Sequence, residues 1–420
     1  MRKKIIILLL IVFVIGIITI LVLKPKHEMK KEKVGEPPQR IKVEVDATNN
    51  IKKDVTGKEF NEYEDDRIAV ALKDNVKVSN IKIMKTGNSS SLRESDIYGK
   101  NAGIIANNKI NAQISNSKIK TEGKGSSGIV ATEDGTILKV ENTQIETKEE
   151  RSRGIVATDS AKIEANNVNV ITRGYKASGV AIDFMYGEIE LSDSEITTNG
   201  IDSVPIYSVG KITAKNSTLI SNNAECVVID GNNKVELENV IAVAGKKRGI
   251  ALYYTGPKTK GDIIGKITVT GGSLDVKDGP VIYVTNTTAE INLSNVNIKS
   301  NSNIFLQAKI DTDDELSQEG TIEKALGGKV ILKAENQIIK GDILLDNEST
   351  LNMNLSSNSI YNGKVNGDKT GKEIKITIDE TSKWQLTGDS YITVLDNEDI
   401  SNSNIDLNGY KLYVNGKIIN

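Results

Sequence analysis

The sequence predicts an all-β fold: a single-stranded parallel β-helix with three strands per coil and about thirteen coils, behind an N-terminal transmembrane helix. Three observations predict the coil. A short motif recurs at a nearly fixed step, each copy holds three strand-length apolar runs, and one column is filled by residues that tolerate a left-handed backbone.

The repeat is clearest from Gly103 to Ser300. One copy reads Gly154-Ile155-Val156-Ala157-Thr158, then Lys162-Ile163-Glu164-Ala165-Asn166-Asn167-Val168, then Asn169-Val170-Ile171-Thr172. Further copies open at Gly103, Gly128, Gly179, Pro205, Cys226, Gly249 and Pro280, in steps of 25, 26, 25, 26, 21, 23 and 31 residues. Self-similarity of this period marks a solenoid, propeller or array. The apolar runs of four to six residues are strand-length and too short for helices. The middle run alternates, as in Glu188-Ile189-Glu190-Leu191 and Lys234-Val235-Glu236-Leu237, which puts the aliphatic residues on one face and the charges on the other.

The deciding column holds Asn116, Asn142, Asn167, Asp193, Asn216, Asn239, Gly271 and Asn295. Asn, Asp and Gly are the residues that enter the left-handed region most readily. Their recurrence predicts one bend stacked coil on coil, an Asn ladder whose meaning is backbone geometry. A propeller blade needs four strands and a longer repeat, and a leucine-rich repeat would show helical periodicity, so three parallel strands per coil remain.

In chain order, Arg2, Lys3 and Lys4 precede Ile5 to Leu23, nineteen uncharged residues that span about 28 Å as a helix, close to a bilayer's hydrocarbon core. The apolar segment runs into Lys24-Pro25-Lys26 with no small-residue cleavage site, so 1–23 is expected to be an uncleaved signal anchor, the alternative being a cleaved export signal. A literal count of flanking lysines favours a cytoplasmic C-terminal side. Large domains translocate largely regardless of charge, however, and the β-domain is expected outside the cell membrane. Residues 24–40, with Pro25, Pro37 and Pro38, read as a charged stalk. Main coils are expected over 41–310, with a polar excursion at Ser89 to Lys100. Altered coils follow over 311–420, ending in a hairpin cap signalled by Asn408-Gly409 and Asn415-Gly416.

Composition restricts the chemistry. With 54 basic and 56 acidic residues, no net field draws the chain to nucleic acid. The one histidine, His27, lies in the stalk, so the β-domain holds no Ser-His-Asp or Cys-His nucleophile system and no histidine metal site. No cofactor motif is present. Cys226, the one cysteine, sits at a strand start and reads as a small apolar core residue.

The candidate site lies along the first strand of each coil. The outward position there is Ile105, Val130, Val156, Ala181, Tyr207, Val228, Ala251 and Ile282, an apolar stripe where a solvated face should be polar. Asp183, Asp230 and Tyr253 stand two positions further on, Arg248 just before a strand start, and Phe184, Tyr186, Tyr254 and Tyr283 cluster in the same coils. Asp183, Tyr207, Asp230, Arg248 and Tyr253 are therefore the expected ligand-binding residues of a shallow groove. The bland alternative is a stripe covered by loops. Asp183 and Asp230, two coils apart, fall near the upper edge of the spacing of an inverting glycosidase pair.

The Gly-Ile-Val-Ala-Thr coils, the segment Asp278 to Thr288 and the segment Trp384 to Tyr391 together resemble the pectate-lyase-like right-handed parallel β-helix superfamily, more narrowly its bacterial adhesin-like or autotransporter-passenger-like surface proteins. The resemblance covers about residues 57–420 and implies the fold and surface display. None of the superfamily's catalytic motifs is matched here. The expectation is a membrane-anchored surface protein that binds an extracellular glycan or protein without catalysis. The alternatives are a lyase or hydrolase of an acidic polysaccharide, and a structural spacer.

Overall fold

The computed structural model describes residues 46–256, 262–311 and 326–419. The chain divides into two units, 1–39 and 40–420. The expected membrane anchor and the whole of the stalk fall outside the described residues. Among those described, no helix is long and apolar enough to cross a membrane.

The described residues between 46 and 419 wind as a parallel coil. Over the regular coils strands three apart in sequence are neighbours, so each turn lays one strand on each of three sheets. The first sheet has twelve strands, from Ala47–Ile51 to Asp342–Leu345; the second has fourteen, from Val55–Thr56 to Val394–Asn397; the third has ten, from Glu59–Glu62 to Asn297–Ser300. The described coil is thus longer than the thirteen turns expected. A four-stranded sheet beginning at Ile338–Lys340 continues on the C-terminal coils.

Period-two patterning sets the register. Leu138, Ile163, Ile189, Ile212, Val235 and Ile267 pair in one inward column of the second sheet, each fully buried. Each such side chain stabilises the coil by about 1.5–3 kcal/mol relative to exposure. Cys226 joins the core, and burial pushes its thiol up to about 12, so it is an inert apolar filler.

A second inward column, on the third sheet, is polar. Thr121, Thr172 and Thr198 donate their hydroxyls to the carbonyls of Ser126, Ala177 and Ser203 at 2.5, 2.5 and 2.6 Å, and Thr147 does the same to Ser152. These bonds satisfy corner carbonyls that the strands cannot reach. Glu62 and then Lys85 open this column; Lys85 lies beside Thr121, with its ammonium donating to Glu64 O at 2.8 Å and Gly87 O at 3.0 Å.

The bend column adopts positive φ throughout: Asn116 51°, Asn142 49°, Asn167 48°, Asp193 51°, Asn216 48°, Asn239 53°, Gly271 64° and Asn295 55°. Asn167 Nδ2 donates to Asn142 Oδ1, and Asn336 Nδ2 to Asn295 Oδ1, both at 2.7 Å.

One local expectation gains detail and two need correction. The excursion at Ser89 to Lys100 contains helix α1 (Leu92–Tyr98), with Ser91 as N-cap and Gly99 as C-cap. Asn408-Gly409 is a corner between two sheets, because Ile405–Asp406 and Leu412–Val414 belong to different ones; Asn415-Gly416 alone turns a hairpin, Leu412–Val414 against Lys417–Ile419. The coil expected to open at Pro280 opens at Val281, since Ile250 pairs with Ile282 and Ala251 with Tyr283. Ile282 therefore points inward, and Tyr283 takes the outward position.

Candidate functional site

The outward stripe of the first sheet is covered along its length. Ile105, Val130, Val156, Ala181, Val228 and Ala251 are all buried. Two sets of residues roof it, and both carry the charges picked out from the sequence.

Over the earlier coils the roof is α1. Its C-cap Gly99 (φ 70°) rests on Val130, where a Cβ would come within 2.5 Å of a Val130 methyl, so both the backbone and the contact demand glycine. The Thr158 hydroxyl lies 2.9 Å from both the Ile97 and Phe184 carbonyls. Asp96, on the buried side of the helix, pairs with Arg151 (Nε–Oδ2 2.6 Å) and with Arg153. Arg153 in turn grips Asp183, Nε–Oδ2 2.5 Å and Nη2–Oδ1 3.0 Å. Ile105, Val130, Val156 and Ala47 form a small apolar cluster beneath, separate from the main core.

This quartet of two arginines and two aspartates, buried apart from the half-exposed Arg151, balances its own charge. Burial pushes Asp183 up to about 6, the Asp96 carboxylate adding to the rise and Arg153 opposing it. Against its own burial cost, Arg153 is held above its ordinary range by the two carboxylates.

Over the central coils the roof is aromatic. Tyr207 and Tyr253 pack on Val204, Ala224, Val228 and Ala251. The Tyr207 hydroxyl donates to Asp230 Oδ2 at 3.2 Å, and Thr255 supplies its hydroxyl at 2.5 Å and its N–H at 3.0 Å to the same carboxylate. Burial and the Asp230 charge hold both tyrosine hydroxyls well above their usual range, so they remain protonated donors. Further along, Arg248 faces Glu225 at 3.6 Å and stacks over the Tyr283 ring at 4.1 Å, and Tyr283 donates to Asp311 at 2.6 Å. Burial raises the Glu225 carboxyl despite Arg248.

The five expected binding residues thus fall into three neighbouring polar groups: Asp183 in the arginine quartet, Tyr207 with Asp230 and Tyr253, and Arg248 with Glu225 and Tyr283. Register places Asp183 and Asp230 two coils apart, with the Val209 coil between them. Each is engaged by partners inside the roof. Among the described residues no group of three or more His, Cys, Asp or Glu is arranged to hold a metal ion.

Sequence reasoning missed Asp96 on α1 and the loop residues Thr255 and Asp311, which complete these groups. One signal was present for the first: Ser91-Leu92-Arg93-Glu94 is a capping-box sequence, and the Ser91 hydroxyl accepts from the Glu94 N–H at 3.3 Å. A shallow polar groove of about 520 Å³ runs elsewhere, along the Asn ladder past Asn142, Asn167, Asp193 and Asn216. It follows from the stacked bend and lies on the corner after the second sheet, away from these groups.

The coil and its covered first-sheet flank define a parallel β-helix protein, and the family comparison agrees. Residues 73–263 match the family model described as right handed beta helix region. The chain is a right-handed parallel β-helix, consistent with the pectate-lyase-like superfamily. No curated protein matches it.

Proposed function

We propose that the chain is a membrane-anchored, surface-displayed β-helix, adhesin-like, that binds an extracellular glycan or protein without catalysis. One observation carries the reading: the carboxylates of the first-sheet flank are spent on holding the roof in place. Asp183 is tied to Arg153 and Asp230 to Tyr207 and Thr255. Proton transfer in glycoside cleavage needs a carboxyl group within reach of the substrate. Recognition needs only a stable surface with aromatic and polar groups, which this flank has. The uncharged stretch Ile5 to Leu23 supports tethering.

Full-length chain in detergent, applied to arrays of glycans and extracellular-matrix proteins, should bind a defined subset. Binding to none favours the spacer reading. Protease treatment of intact cells should remove the β-domain; its survival until lysis would reverse the topology.

The raised carboxyl of Asp183 favours a second reading, a polysaccharide lyase or hydrolase with Asp183 as the acid. Release of unsaturated or reducing ends from an acidic polysaccharide, lost in Asp183→Asn and Asp230→Ala, would establish it.

A further inference from the structure

The last turn of the coil is finished on one side only. The hairpin of Leu412–Val414 and Lys417–Ile419 closes the three-stranded sheet, which follows the first sheet. Val394–Asn397 ends the fourteen-stranded sheet and Ile405–Asp406 the four-stranded one, and among the described residues each is paired along one edge alone. An unpaired strand edge is a template for another chain. The core stops in the same way. Leu395, Leu407 and Val414 pack on it but are only partly buried, whereas Ile376 and Ile392, which pair with Leu395 and Val414 one turn earlier, are closed off.

Large apolar side chains stand in water on this same turn. Ile400 is 95 % exposed, and Tyr410 and Ile418 are exposed too. Ile400 sits on a braced turn. The Asp399 carboxylate before it accepts from the Ser401 N–H and hydroxyl at 3.0 and 2.6 Å, from the Ser403 hydroxyl at 2.7 Å and from the Asn404 N–H at 3.1 Å. The Ser401 and Ser403 hydroxyls hold that carboxyl down at about 2, so the brace persists at any physiological pH. An apolar tip already held in place loses little further freedom on binding.

Charge divides the turn. From Glu398 to Tyr410 the sequence carries Glu398, Asp399 and Asp406 and no lysine or arginine; from Lys411 to Ile419 it carries Lys411 and Lys417 and no acid. The acidic segment covers one side of the coil's end and the basic hairpin another, with Val394–Asn397 on the third. Consider two copies end to end, related by a twofold axis through the middle of Val394–Asn397. The rotation sets this edge strand antiparallel to its own counterpart and exchanges the other two sides. Each acidic segment then meets the basic hairpin of the other copy. An isologous contact requires such self-complementarity.

We infer that this end is a docking surface for a second copy of the chain, tip to tip about that axis. The inference goes beyond the binding reading above and does not depend on it. One end of a slim coil is a small interface, so the contact is weak and dilute chain is monomeric.

The test is sedimentation velocity on full-length chain in detergent, from about 1 to about 100 μM, the range of weak contacts. The parent should pass reversibly from monomer to dimer. Ile400→Ser should weaken the dimer about tenfold. Lys411→Glu with Lys417→Glu should abolish it, and so should Glu398→Lys with Asp406→Lys. An equimolar mixture of these two charge-reversed variants should dimerise again, because each then offers what the other lacks. All five positions are exposed, so the variants should keep the parent's far-ultraviolet dichroism and thermal unfolding. A parent that stays monomeric throughout would overturn the inference. So would a dimer that survives every variant, which would place the contact elsewhere on the chain, or a mixture that remains monomeric. Glycan or protein binding, present or absent, bears on the earlier reading alone.

Discussion

Single side chains show most directly how the coil is specified. Asn167 holds φ 48° and donates to Asn142. Asn167→Val should cost about 1–2 kcal/mol, because a β-branched side chain does not tolerate the left-handed region, whereas Asn167→Gly should cost less; urea unfolding measures the difference. Lys85 is the more unusual residue, since threonine fills its column in the next coils. Burial pushes it down to about 8 against the attraction of Glu62, Asp65 and Asp66. Between pH 8 and its ordinary value of 10.5 the unfolded chain holds a proton that the folded chain has released. Stability therefore rises with pH across that window, by at most about 1.4 kcal/mol per pH unit. The difference in unfolding free energy between the parent and Lys85→Thr should show this slope; a flat difference would mean that the ammonium is not desolvated.

At the scale of elements, what was legible in the sequence follows physical rules of unequal reach. Period two and the Asn column gave the strands, the bend and the register of the regular coils, because each depends on residues adjacent in sequence. The roof was not legible in this way. Asp96 meets Arg153 across 57 residues, and Thr255 meets Asp230 across 25, pairings that only the finished coil creates. The misplaced opening at Pro280 has a related cause: the ten-residue corner after Tyr253 interrupts the period, and proline had served as a start at Pro205. The apolar stripe itself was visible; that it is covered follows from α1 and the tyrosines. Asp96→Ala should cost about 3 kcal/mol, since it leaves buried arginine with one carboxylate fewer. The same variant should bind a hydrophobic dye as Val130 and Val156 become accessible. A variant that unfolds like the parent and binds no dye would show that the helix contributes little.

Across the whole β-unit, the second sheet's outer face pairs opposite charges from coil to coil, as in Lys139–Glu164 at 3.2 Å, Lys162–Glu190 at 2.9 Å and Lys266–Glu290 at 2.7 Å. These pairs are solvent-exposed and individually weak, so they keep the surface neutral more than they stabilise it. A stacked coil also has to end. Leu412–Val414 continues the parallel stack on Ser390–Ile392, and Lys417–Ile419 folds back antiparallel to finish it. Removing residues 408–420 should bare the Ser390–Ile392 edge and drive end-to-end association, visible as a larger hydrodynamic radius in light scattering. Particles of unchanged size would show that this edge does not need covering.

The corners joining the first sheet to the second, of five, two, three and ten residues after Ile182, Ser208, Asp230 and Tyr253, carry one more consequence. Strand pairing passes through all four without a shift, so the scaffold is indifferent to what its corners present. Insertions, deletions and substitutions in a single corner are therefore expected to leave the register of the neighbouring strands unchanged.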